Sequence, residues 1–130
     1  MLKYCFIFMI GYASLENIYR QLTNGELTTL EQSIITFIWT PIIIKHFTII
    51  KNKKYRILLF PFNIWLCEII FGNLLLYYNN TRAWYYDDIL ALFNGLITLS
   101  FTLHWILLGL IIDTFLYFYP YQPIKTIKND

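Results

Sequence analysis

Four stretches of the chain are each about 20 residues or longer and carry few charges. About 20 apolar residues is what a helix needs to cross the ~30 Å hydrocarbon core of a bilayer. The stretches run over about 2–20, 29–50, 57–78 and 89–118. The first is interrupted only by Glu16, the second carries Lys45 and His46 near its end, and the third has Glu68 in its middle. The fourth is long enough to tilt or to extend beyond the bilayer. Composition agrees: of 130 residues 58% are apolar and 14% charged, against about 25% charged in an ordinary soluble domain. A net charge of +2 with no basic stripe excludes a nucleic-acid partner.

The links between the stretches are short: Asn24-Gly25, then Lys51 to Lys54, then Asn79 to Asp88. Short links make successive helices antiparallel neighbours. The expected architecture is therefore all-α, a single domain over 1–130, an integral membrane four-helix bundle running up-down-up-down. Lys3, Lys45, Lys51, Lys53, Lys54, Arg56, Lys125 and Lys128 fall on one side, and Arg20 and Arg82 on the other. The positive-inside rule then places both termini in the cytoplasm. Lys3 and the apolar run to Ala13-Ser14 also permit a cleaved signal peptide. Cleavage would strand an odd number of spans against the charge bias, so the first span is expected to stay. Tyr77, Tyr78, Trp84, Tyr85 and Tyr86 are expected as aromatic anchors at the outer interface, and Tyr55, Tyr117, Tyr119 and Tyr121 at the inner one.

Ionisable groups within spans cost about 3 kcal/mol each on insertion scales and are the natural candidates for a site. Glu68, about ten residues from the outer end of its span, lies near the midplane at 1.5 Å per residue. His104 should lie at similar depth and is a plausible partner for it. Glu16 is shallower. For each, a proton or cation site stands beside a structural reading, a carboxyl or imidazole that ties helices together. Asp113, near the inner end, is expected to pair with a lysine of the central loop. Asn63, Asn73 and Asn94 offer hydrogen bonds between helices, and Ala91 with Gly95 a small-residue contact. Cys5 and Cys67 have no metal-ligand spacing and read as reduced packing residues. No metal, cofactor or enzymatic motif is visible, and the chain is not expected to be an enzyme. Spans one and three share a short pattern, with Tyr12 or Trp65 shortly before a glutamate, as two parallel helical hairpins would.

Several residues also carry a resemblance: Gly11-Tyr12 with Glu16, Glu68 with Gly72, Arg82-Ala83-Trp84-Tyr85-Tyr86, and Asn94-Gly95-Leu96-Ile97-Thr98-Leu99 with Trp105. In this order and spacing, over about 10–118, the chain resembles the transmembrane protein 229 family. That family is related to bacterial membrane proteins labelled ABC-transporter type IV. The loop departs from the family's Pro-Trp-Asp-Tyr, reading Ala83-Trp84-Tyr85-Tyr86, which puts in doubt any activity that needs the acidic residue. The resemblance implies a small four-span membrane protein, with Gly11, Tyr12, Gly72, Trp84, Tyr86, Asn94, Gly95, Thr98 and Trp105 as family-motif positions. A permease-like role follows from the label. The alternative is a structural or accessory subunit of a larger membrane complex. The bilayer is the expected partner in either case, with a second copy or a larger complex beside it.

Overall fold

The computed structural model describes residues 1–23, 25 and 29–122. Asn24, Lys125 and Lys128, used above for the first link and the charge bias, lie outside the described residues. The described chain is mostly helical. Helix α1 covers Leu2–Leu22 and α2 covers Leu30–Ile49. Helix α3 covers Lys53–Leu58 and α4 covers Phe60–Leu74, which continues as a π-helical turn over Leu75–Asn79. A two-residue hairpin follows, β1 at Ala91–Leu92 and β2 at Ile97–Thr98. A 3-10 turn at Leu99–Phe101 then leads into α5 at Thr102–Phe118. Two helical segments, 53–79 and 99–118, are long and apolar enough to cross a membrane.

Local chemistry sets the boundaries. Thr29 opens α2 with a reciprocal cap: its hydroxyl accepts from the Gln32 amide at 3.3 Å, and Gln32 Oε1 accepts from the Thr29 amide at 3.0 Å. Asn52 caps α3 by accepting from the amides of Lys54 and Tyr55. The step at Leu59 between α3 and α4 falls just before Pro61, which has no amide to donate. The Phe62 amide instead reaches Leu59 O at 3.2 Å, a tighter turn. Asn80 ends the π-helical turn in the left-handed region (φ 50°), where asparagine is among the residues best tolerated.

The fourth apolar stretch is not one helix. Its first third, Ile89–Thr98, is loop and hairpin, and the helix proper begins only after Thr98. The turn Phe93-Asn94-Gly95 has φ of 53°, 58° and 79°, and Asn-Gly is a strong local hairpin signal. Asn94 and Gly95 therefore serve a turn. Asn94 is exposed and makes no interhelical link, and Ala91 with Gly95 is not a helix-packing pair. The hairpin satisfies its own backbone in part: Ala91 pairs with Thr98 and Leu92 with Ile97, and the Leu99 amide reaches Leu90 O.

Helix α1 packs along α2 and α4 along α5, and the two pairs join where α2 meets α4. The Trp39 indole N–H donates to Asn63 Oδ1 across that joint at 2.8 Å. The core centres on Phe60 and Ile44, almost fully buried, with Phe47 against Phe60. Gly109 lets α5 close on Phe60: a Cβ there would sit 3.2 Å from the Phe60 ring and its Cβ.

Candidate functional site

The loop between α4 and α5 folds back onto the helices rather than fringing them. The Trp84 indole N–H donates to Leu96 O at 2.8 Å, and the Tyr86 amide donates to Gly95 O at 3.0 Å. Gly72 on α4 leaves the space that the Leu96 side chain occupies; a Cβ at 72 would collide with it. Below this contact the Tyr86 hydroxyl donates to Glu68 Oε2 at 2.7 Å. At the loop's end the Thr98 hydroxyl donates to Asp88 Oδ2 at 2.7 Å and the Ser100 hydroxyl donates to the same oxygen. These two bonds hold the exposed Asp88 carboxyl below its ordinary range. Trp84 and Tyr86 thus turn inward and are not surface anchors, whereas Tyr77 and Tyr78 are exposed.

Beneath the loop lies a cavity of about 240 Å³ between α1, α2, α4 and α5. A wider recess of about 590 Å³ adjoins it, and Tyr12, Glu16, Arg20, Trp84, Tyr86 and Trp105 wall both. Glu16 and Tyr12 sit one turn apart on α1, and Glu16 forms an ion pair with Arg20 a further turn on. Glu68 is 9% exposed; its Oε2 is taken by Tyr86, and its Oε1 is buried with no hydrogen-bond partner. The Trp105 indole N–H is likewise buried without an acceptor. Nearly all buried polar groups in native proteins are paired, so two orphans in the walls of one cavity call for an explanation.

The expected pairing of Glu68 with His104 is not formed. His104 is exposed on the wider recess, with its ring against Tyr19 (5.4 Å) and Phe101 (4.9 Å). Tyr86, one of the motif positions, takes that place because the loop dips to the level of Glu68. Asp113 does pair with the central loop, but through the Arg56 guanidinium rather than a lysine; Nη2 lies 3.3 Å from Oδ2, and Nε makes a second contact. Arg56 also donates to Lys51 O, and His46 Nε2 bonds Arg56 O, so this end of the bundle is stitched. Asn73 is exposed. Tyr12 and Trp65 differ in setting: Tyr12 walls the cavity, and Trp65 stacks edge-on to Phe62 and does not. Cys5 and Cys67 are free and buried. Among the described residues no cluster of three His, Cys, Asp or Glu could hold a metal ion.

Sequence reasoning missed the polar wall supplied by α2. Gln32 and Thr36 line the cavity, and Gln32 is buried although its position reads as a helix start. The signal was present in Thr29-x-x-Gln32, a capping box, whose glutamine is held near the helix end. Comparison with protein-family models, with curated proteins and with solved structures finds no match to this chain.

Proposed function

We propose that the chain is a four-span membrane protein of permease-like type that holds a cation at Glu68. The observation that carries the reading is the buried, unpartnered Oε1 of Glu68 in the wall of a cavity between the helices. A carboxyl group is costly inside a bundle, and one that walls an internal cavity and keeps an oxygen without a partner has the chemistry of a cation site.

The membrane part is supported by the outer faces. Leu2, Phe6, Ile10 and Ile18 on α1 are exposed, as are Ile34, Ile38 and Ile42 on α2. So are Phe62, Leu66, Ile70 and Leu74 on α4, and Leu103, Leu107 and Ile111 on α5. Each set recurs every four residues or a multiple of four, which draws an apolar stripe along the outside of its helix. Single exposed apolar residues are ordinary, but four such stripes around one bundle suit hydrocarbon and not water. Helices α1 and α2, of 21 and 20 residues, are each about 30 Å long, enough to span. The hairpin is tolerable at membrane depth because its second strand is packed against protein, with Leu96, Ile97 and Thr98 buried. Lys45, Lys51, Lys53, Lys54 and Arg56 gather at one end and Arg20 and Arg82 at the other, which favours a cytoplasmic N-terminus.

The resemblance to the transmembrane protein 229 family agrees with the same reading. Gly72, Trp84, Gly95 and Thr98 seat the loop, and Tyr12, Glu16, Glu68, Tyr86 and Trp105 wall the cavity. The Tyr86–Glu68 hydrogen bond favours a second reading, a structural tie in an accessory subunit.

Reconstitution into liposomes separates the two. Glu68→Gln keeps an acceptor for Tyr86 and removes the charge. The permease-like reading expects this variant to melt no lower than wild type and to lose flux of protons or small cations. A variant that unfolds, with wild type passing none of these ions, selects the accessory reading.

A further inference from the structure

The cavity has a polar end and an apolar end. Glu16, Arg20, Gln32, Glu68 and Tyr86 wall it toward the loop, and Ile7, Phe8, Ile43 and Phe115 wall it toward the other end. Ile7 and Arg20 stand about 20 Å apart along α1 at 1.5 Å per residue. A solvated ion needs no such apolar extension, but a molecule with a charged head and a hydrocarbon chain fits one.

The cavity also has a side opening. Helices α1 and α5 meet through rings and not through close backbone approach: Phe8 with Phe115 at 5.9 Å, and Tyr12 with Trp105 at 6.4 Å. Between these two ring pairs lies Gly11, exposed and lining the cavity, where an added Cβ would meet nothing within 4 Å. Leu15 and Ile111, also in the cavity wall, are about half exposed. The gap beside Gly11 therefore joins the cavity to the face that the apolar stripes give to lipid.

The head chemistry follows from the charges and the rings. Glu16 is offset by Arg20, whereas Glu68 meets the Tyr86 hydroxyl and, among the described residues, no cation. Tyr12, Trp39, Trp84 and Trp105 wall the cavity with aromatic rings, whose faces attract cations, and Glu68 in the same wall keeps one carboxyl oxygen, Oε1, without a partner. We infer that this chamber takes a single-chain amphiphile with an amine head, which enters from the bilayer through the gap between α1 and α5 at Gly11. The inference rests on the cation-holding reading of Glu68 and names the class of its ligand.

Three of the four tryptophans wall the chamber, so a bromine-tagged ligand that enters it quenches their fluorescence. The probes are dodecylamine brominated at the chain end, the matching dodecanol and dodecanoate, and 2-bromoethylamine. Each is titrated into the protein in phosphatidylcholine nanodiscs. Dodecylamine should quench saturably in wild type and bind at least about tenfold more weakly in Glu68→Gln. Gly11→Leu fills the gap and raises helix propensity, so it should melt no lower than wild type. It should weaken dodecylamine by a similar factor and leave 2-bromoethylamine unchanged. Equal binding of the short and long amines, with neither altered by Gly11→Leu, overturns the amphiphile and leaves the cation site standing. Quenching by dodecanol or dodecanoate equal to that by the amine overturns the head assignment. No saturable binding of either amine overturns both this inference and the cation-holding reading.

Discussion

At the scale of single residues, two glycines decide whether the loop can seat. Gly95 adopts φ 79°, and a Cβ there would lie 2.9 Å from Tyr86 O and against the Tyr85 ring. Gly95→Ala should cost at least about 1–2 kcal/mol from the left-handed backbone alone, read as a lower melting temperature in detergent. Gly72→Ala should cost about 1–3 kcal/mol by overpacking against Leu96. Its cost should shrink in the Gly72→Ala, Leu96→Ala double variant, because the two side chains compete for one space. Asp88 supplies a pH test. Its folded carboxyl titrates below the ordinary 3.8 because Ser100 and Thr98 donate to it. Its contribution is complete above about pH 3.8 and is lost as pH falls through the lower folded value. Loosening of the loop under acid, followed by Trp84 fluorescence, should begin below pH 3.8 and should weaken in Asp88→Asn.

At the scale of elements, the bundle is fastened differently at its two ends. The central-loop end is closed by Arg56 and Asp113, with the aspartate almost fully buried. Removing one partner of such a pair leaves a buried charge and should cost about 3 kcal/mol. Asp113→Leu should therefore melt well below wild type, and the Arg56→Met, Asp113→Leu double variant should recover much of the loss. Arg56→Lys should not restore wild-type stability, because a lysine cannot reproduce the two-point contact. A double variant no better than Asp113→Leu alone would show that the pair acts through packing and not charge. Toward the other end the described residues of α1 and α5 touch through rings, Tyr12 with Trp105 and Tyr19 with His104. Element boundaries were legible where a cap or a proline marks them, as at Thr29 and Pro61. The start of the last helix was not. Ile89–Thr98 is apolar enough to read as membrane helix, and its hydrophobicity outweighed the Asn-Gly turn signal within it.

At the scale of the whole molecule, the exposed stripes set the environment that the bundle requires. Ile38 is 53% exposed on the outer face of α2. In a bilayer, Ile38→Lys should oppose insertion by up to about 3 kcal/mol and lower the yield in membrane fractions. In water the same change would raise solubility, so partition of the variant between membrane pellet and supernatant decides between the two environments. The expected second copy or larger complex is not required to form the chamber, which is walled by α1, α2, α4, α5 and the loop residues Trp84 and Tyr86 of one chain.

The amino-acid sequence by itself determined the helical class, the positions of α1, α2 and the α4 segment, and the singling out of Glu16 and Glu68. Each of these rests on local quantities: run length, charge spacing, and the cost of a carboxylate among apolar neighbours. Which groups those glutamates meet was decided only by the tertiary structure. Glu68 lies 18 residues from Tyr86, and that contact exists because an Asn-Gly turn folds the loop back and Gly72 leaves room for Leu96. His104 was an equally reasonable partner by depth along a helix, but depth does not specify rotation, and its ring points to Tyr19 and Phe101 instead. The cavity belongs to the same class of fact. It is the space left where two helical hairpins join along one side and, along the other, meet by rings and by the Tyr4 hydroxyl on the carbonyls of Tyr119 and Pro120, and no single stretch of sequence encodes a space between stretches.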